Sequence, residues 1–400
     1  MPRPINVTVG PSNADFTGDT HRALQAAVDY VAALGGGAVQ VQPGTYRMGN
    51  CVWLRSNVRL VGSGDSSVLA KSPARVTPLT DDTDWFHSHA TVEDPSCFEV
   101  VGGIFLHAKH NSGGHPIYTR HTVVAIDGNT VQLDSQTREN MWITHEAVAS
   151  THFPLVSGDH VHDVAIEDIA LDGNGAANTH PAGRHADGIA LDDSERVRVA
   201  NVTVRDCCGD GISWQVCHDV TIESCRSEGN WLGLHPGSGS QRPIIRGNTL
   251  RDCDIGLFWC WTVQHGVAEH NEIRNSTDYG ISIGHRDTDN VMRHNRVFDS
   301  GKVALRFRPD EPTVRCAHRN LVEDNLFQGA GTADAPGVGI DLAGAVDEVV
   351  LRRNRVVNPP NGHIATGLRI GKDVTRLTLD ANAFESVPCE VEDLRAVQRS

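Results

Sequence analysis

The sequence is short of positive charge. Lys and Arg number 35 against 50 Asp and Glu, for a formal net charge of −15 over 400 residues. A nucleic-acid binder needs a net basic face, and this chain does not have the charge for one. The same deficit argues against attraction to an anionic membrane. No apolar run approaches the ~18 residues that would span a bilayer. The opening stretch MPRPINVTVGPSNADF has no apolar segment of the secretory type, so a leader is expected to be absent or already removed. The ten cysteines form no CxxC pair, and only Cys207-Cys208 are adjacent. A reduced, cytoplasmic chain is therefore expected, with secretion after loss of a leader as the alternative. There is no Walker loop, GxGxxG, GxSxG or HExxH, which disfavours nucleotide, serine-esterase and zincin chemistry.

Glycine is plentiful. At 39 of 400 residues it exceeds the usual ~7%, which points to many tight turns. With 39% hydrophobic and 21% charged residues the chain reads as globular. A repeat begins near residue 160. Units start at Gly188, Gly211, Gly233, Gly256 and Gly280, in steps of 23, 22, 23 and 24. Ala304-Leu305, Gly339-Ile340 and Gly367-Leu368 hold the same place in later, longer turns. Each unit carries short alternating runs, such as VRVANVTV, that read as strands. Asn201, Asn248, Asn271, Asn295, Asn325, Asn354 and Asn382 recur in a second column, with Ser224 in one turn. A side-chain amide repeated at one place in every coil can pair with the next coil and satisfy buried turn groups. Stacked coils of this length predict an all-β parallel solenoid, each coil burying its Ile, Leu and Val against its neighbours. Residues 14–36 predict an amphipathic helix over one end of the core, with Thr20 as N-cap, Ala23, Leu24, Ala27, Val28, Val31 and Leu34 on its apolar face, and a stop at Gly35-Gly36-Gly37.

The segment DFTGDTHRALQAAVD…GGGAVQVQPGTY resembles the N-terminal cap of pectin-lyase-like right-handed parallel β-helix proteins. That superfamily includes pectate lyases, polygalacturonase-type glycosidases, alginate C5-epimerases and phage tailspikes. The resemblance implies one right-handed β-helix over 1–400, with a capping helix at 14–36 and regular coils at 160–387. Residues 65–155 break the repeat and predict a β-rich insertion with an Asp127-Gly128 turn. Within it, 79–96 is expected to wall a cleft, and 388–400 reads as a tail. The resemblance also implies a glycan partner; some such solenoids form homo-oligomers.

In each GIxLx strand the residue between the two apolar positions points outward. The outward column is then Ala190, Ser213, His235, Phe258, Ser282, Arg306, Asp341 and Arg369, with Asp192, Gln215, Trp261, His285 and Arg286 just beyond. Alternation cannot bury Phe258, Trp259 and Trp261 together, so at least one ring is expected to stack on a sugar. Arg306 and Arg308 share a face, as a carboxylate clamp would. His235 and His285 lie on that face two coils apart, roughly 10 Å. The Tyr279–His285 stretch resembles the YG…DPH strand of alginate epimerases, with Ile283-Gly284 in place of Asp-Pro. By that resemblance His285 is a candidate acid or base, and Asp287 would orient it. Asp187 and Asp210 match Asp-Gly positions of the polygalacturonase-like pattern, although Gly209 and Leu232-Gly233 depart from it.

The expected activity is β-elimination on a uronic-acid-containing glycan. Arg306 and Arg308 would neutralise the carboxylate, and His285 or His235 would move the proton. Gln215, Arg286, Asp341, Trp259 and Trp261 are the candidate substrate contacts. The alternatives are a glycoside hydrolase using Asp187, Asp210 or Asp287, a C5-epimerase, and a non-catalytic glycan-binding solenoid. No cofactor is expected. Asp192-Asp193 could hold Ca²⁺, and the close pairs His87/His89, His160/His162 and His180/His185 leave a transition-metal site open.

Overall fold

A computed structural model describes residues 5–110, 116–179, 185–310 and 313–395. The chain winds into a parallel β-helix. Eleven strands from successive coils form one sheet, running from Val52–Trp53 through Val156–Asp159, Ile189–Asp192, Ile212–Gln215 and Leu232–Gly237 to Cys389–Asp393. A 22-stranded sheet wraps the other sides. It turns its corner within or between strands. His162–Asp172, for example, pairs with Glu195–Ala200 through its first half and with Thr203–Arg205 through its second. At that corner each coil places one residue in the left-handed region: Asp168, Asn201, Ser224, Gly247, His270 and His294 have φ of 52°, 54°, 55°, 63°, 56° and 54°. Asn and Gly accept that conformation most readily.

The amide ladder forms one residue after this corner. Asn248, Asn271, Asn295, Asn325 and Asn354 are buried. Asn271, Asn295, Asn325, Asn354 and Asn382 each accept from the main-chain N–H and the side-chain amide of the preceding rung's Asn. Asn201 and Ser224 do not belong to it. They occupy the left-handed corner itself, and Cys225 takes the ladder place, its N–H donating to Asn248.

One α-helix, His21–Ala33, stands among the described residues and buries Leu24, Ala27, Val28 and Val31 over the first coils. Thr20 holds the N-cap place without a side-chain capping bond, and Leu34, at the C-cap, is half exposed rather than on the apolar face. No helix among the described residues is long and apolar enough to cross a membrane. The described cysteines are all free thiols.

The inserted segment is a six-stranded antiparallel sheet between Val76 and Ser150 with its own small core around Val92, Leu106, Val123 and Met141. It begins later than expected, because Val58–Lys71 is still a solenoid strand paired with His162–Asp172. Asp127 and Thr130 close a hairpin around Gly128-Asn129. Cys389–Asp393 is no tail: it is the last strand of the eleven-stranded sheet, paired with Ile364–Ile370.

Candidate active site

The outward column forms in register on the eleven-stranded sheet. Ala190 pairs with Ser213, Ser213 with His235, Phe258 with Ser282, Ser282 with Arg306, Arg306 with Asp341, and Asp341 with Arg369. The inward partners are core residues, among them Trp214 and Trp259, both fully buried. Period-two alternation at a strand spacing of ~4.8 Å turns one residue per coil into a continuous face.

At its centre lie two buried carboxylates and a histidine. Asp187 accepts from Ser213 Oγ at 2.5 Å and from the Asp210 N–H at 2.9 Å. Asp210 is 0% exposed and accepts from His235 Nδ1 at 2.6 Å. The His235 side chain keeps 12% exposure. A carboxylate can only accept, so Nδ1 is the donor in this pair, and Nε2 is the ring nitrogen that the pair leaves unengaged. Asp187 and Asp210 came together as their positions before adjacent strands imply. Neither faces solvent, so neither can itself meet a sugar oxygen.

Phe258 packs edge-on to His235 at 5.1 Å and carries the Arg308 guanidinium 4.4 Å above its ring. Arg308 leans back over the sheet because Gly284 leaves the space: a Cβ there would lie 3.0 Å from Arg308 Cβ and Nε. Its Nη1 donates to Ser282 Oγ and its Nη2 to the Trp259 carbonyl, both at 2.8 Å. Arg306 points elsewhere on the face. Its Nη1 donates to Tyr279 Oη at 2.8 Å, and Asp341 follows on the next rung. Burial pushes the Asp341 carboxyl up, against Arg306 and Arg369. Gln215 lies over Gly237, where any side chain would collide with it.

Two expectations need correction. Trp259 is 0% exposed and belongs to the core, since it follows Leu257 at the inward period. Trp261, 50% exposed, is the ring that reaches solvent, stacked on His285 at 4.5 Å and 13°. Asp287 does not orient His285. It is fully buried in the turn, accepting from the Val263 and Gly284 N–H groups, and His285 Nδ1 instead meets Asp310 at 3.1 Å. Burial pushes the Asp287 carboxyl up to about 7, against Arg308 at 3.8 Å. Arg286 is exposed at the rim.

Sequence reasoning missed Tyr279 and Asp310, which sit one rung from the groups they hold. It also missed the wall of the cleft. Residues 79–96 do not form it; the inserted strand Ile117–Asp127 does, and it brings Tyr118 and Arg120 to Trp53, Asp159, Asp192 and His185. The His185 ring packs at a tilt against Phe105 and Tyr118, with centroids 4.5 and 3.8 Å away; His180 lies outside the described residues. Among the described residues, the only set of His, Cys, Asp and Glu spaced to share a cation is Asp159, His160 and Asp193, all exposed, and Asp192 instead faces Arg120.

A family model described as "Right handed beta helix region" matches residues 187–356. The chain is a right-handed parallel β-helix. No curated protein matches this β-helix by sequence. Solved structures match it at low identity. A surface adhesin of Streptococcus pneumoniae is 13% identical with a TM-score of 0.58, covering 95% of this chain and 92% of its own. The A-module of an Azotobacter vinelandii mannuronan C-5 epimerase is 15% identical with a TM-score of 0.52, covering 97% and 100%. The Dettilon tailspike protein is 12% identical with a TM-score of 0.58, covering 96% and 62%. At these identities what is shared is the β-helix fold, with no single close family.

Proposed function

We propose that this β-helix is a carbohydrate-active enzyme that abstracts the C5 proton of a uronic-acid residue and breaks the glycan by β-elimination. The observation that carries the reading is the Asp210–His235 pair at 2.6 Å, with its carboxylate buried and its imidazole at the surface. Asp210 fixes the ring and leaves Nε2 as base. Nε2 takes the C5 proton, the C4–O bond breaks as the C4–C5 double bond forms, and the leaving oxygen takes a proton from solvent. Arg308 is the neutraliser. Charge developing on the carboxylate in the transition state is best met by a cation already held in place, and Ser282, Trp259 and Phe258 hold this one. Arg306 serves the carboxylate of a neighbouring sugar, and Trp261, backed by His285, is a stacking platform. A fold shared with epimerases, tailspikes and an adhesin is compatible with this chemistry and does not select it.

Hydrolysis by Asp187 and Asp210 would need carboxylates that face the glycosidic oxygen; both are buried here. The test is ultraviolet absorbance of the unsaturated product on a panel of uronate polysaccharides. His235→Ala and Arg308→Ala should abolish it, and Asp210→Asn should cost about 10²–10⁴-fold, the range for loss of proton-transfer catalysis. New reducing ends without unsaturation would overturn elimination in favour of hydrolysis. Solvent deuterium incorporated at C5 without cleavage would favour epimerisation.

A further inference from the structure

A strip of small residues runs beside the His235 column. Gly237, Cys260 and Gly284 follow His235, Phe258 and Ser282 by two residues, one same-face step of ~7 Å. Gly237 bridges to Cys260 in parallel register. Two polar side chains from the neighbouring coils lean over the ends of the strip. Gln215, on the preceding coil, pairs with Gly237 and lies flat over it: a Cβ at Gly237 would sit 2.4 Å from Gln215 Oε1 and 2.5 Å from Nε2. Arg308, on the following coil, lies over Gly284 in the same way. Cys260 floors the gap between them. The two glycines are two rungs apart, ~10 Å, the length of one pyranose ring with its carboxylate.

The two ends differ in what they leave unmade. Ser282 and the Trp259 carbonyl hold the Arg308 guanidinium in place. Gln215 is 8% exposed, and its Nε2 is buried with no hydrogen-bond partner among the described residues. A buried amide left unpaired is unfavourable, and a ligand that pairs with it removes the penalty. The last torsion of Gln is broad and roughly two-fold, so a half-turn exchanges N–H and carbonyl, and the carboxamide meets a ligand as donor or acceptor. A hydroxyl, which both donates and accepts, is its natural partner. With the carboxylate on Arg308 and C5 beside His235, the ring atom opposite is C2, and its hydroxyl falls at Gln215. An acetyl or sulfate ester at that oxygen would lose the donor hydrogen and add bulk against a side chain already packed on glycine.

We infer that Gln215 is a substrate-binding residue that selects the reacting sugar, a uronate whose C2 hydroxyl is free, neither acetylated nor sulfated. That the sugar is a uronate rests on the elimination reading; the seat over Cys260 does not. The test uses polygalacturonate, polyglucuronate and polymannuronate, each free and acetylated on its ring hydroxyls. Binding of the full chain is read by affinity electrophoresis and cleavage by ultraviolet absorbance. For at least one of the three, the free polymer should bind at least tenfold tighter than its acetylated form. Gln215→Met keeps the side-chain length and removes its hydrogen bonds. It should weaken binding of the free polymer about tenfold, through KM more than kcat, and bring the two affinities within about threefold. Gly237→Ala should do the same by pushing the carboxamide off its place. A variant that had merely lost its fold would weaken both polymers alike, so the preference is the quantity that decides. A preference that survives both substitutions, equal binding of free and acetylated polymers by the wild type, or no retention of any free polymer would overturn the inference. If elimination fails, no unsaturated product forms while the Gln215-dependent preference persists in binding. If the Gln215 inference fails, product forms with the same KM in Gln215→Met.

Discussion

Removing one amide from the Asn ladder tests whether the solenoid depends on it. Asn295 is fully buried. Its Oδ1 accepts from Asn271 N at 3.1 Å and Asn271 Nδ2 at 2.9 Å, and its Nδ2 donates to the Ala268 carbonyl at 2.9 Å. Asn295→Ala takes these partners from the Asn271 N–H and the Ala268 carbonyl inside the stack, and leaves Asn271 Nδ2 with only its bond to the Ile245 carbonyl. An unsatisfied buried group costs about 1–3 kcal/mol, and water entering the small void recovers part of it. The net loss should be about 3–6 kcal/mol, large against a total stability of ~5–15 kcal/mol. Two controls bracket it. Asn382 makes the same bonds on the last ladder rung but is only partly buried, so Asn382→Ala should cost clearly less. Asn201→Ala touches only the left-handed corner and should cost about 1 kcal/mol. Denaturant unfolding gives the global figure, and hydrogen exchange at the Asn271 amide gives the local one. If Asn295→Ala matches Asn201→Ala within ~0.5 kcal/mol, or the Asn271 amide stays as protected as in wild type, the ladder is not what holds these turns.

Asp287 should leave a mark on stability against pH. Its folded pKa is raised from 3.8 to about 7, so between those values the folded state binds more protons than the unfolded one. Stability from this group is therefore greatest below 3.8 and falls as pH rises to about 7; Asp287→Asn should flatten that part of a Tm–pH profile, and an unchanged slope would refute the assignment. Gly284→Ala should push Arg308 off its seat, lowering kcat at least tenfold for a stability change near ~1 kcal/mol; unchanged kcat would remove Arg308 from the chemistry. Trp261→Ala should raise KM about threefold to tenfold with kcat little changed, as loss of a ring contact worth ~0.5–1.5 kcal/mol implies, and a KM identical to wild type would exclude the platform.

Local periodicity was enough to read the coils. A residue's place in a 22–24-residue repeat and the period of two within a strand fixed which side of the sheet Ser213, His235, Ser282 and Arg306 would take, and the strand pairings follow that register. The ladder from Asn248 to Asn382 was legible for the same reason. Asn201 misled because a corner and a ladder place differ by one residue, and Asn suits both. Trp259 and Trp261 differ in role because the chain turns between them just after the strand Ile255–Phe258: the alternation carries on to bury the first, and the left-handed backbone at Trp261, φ 71°, turns the second out. The partners of the charged groups were beyond reach. Asp210 finds His235 and Asp310 finds His285 across 25 residues, one coil on, and which carboxylate meets which ring depends on side-chain reach. The cleft needed tertiary structure altogether. Nothing local to Tyr118 or Arg120 says that their strand will cross to Asp192, 72 residues later for Arg120, because only the packing of the inserted sheet against the solenoid brings those surfaces together.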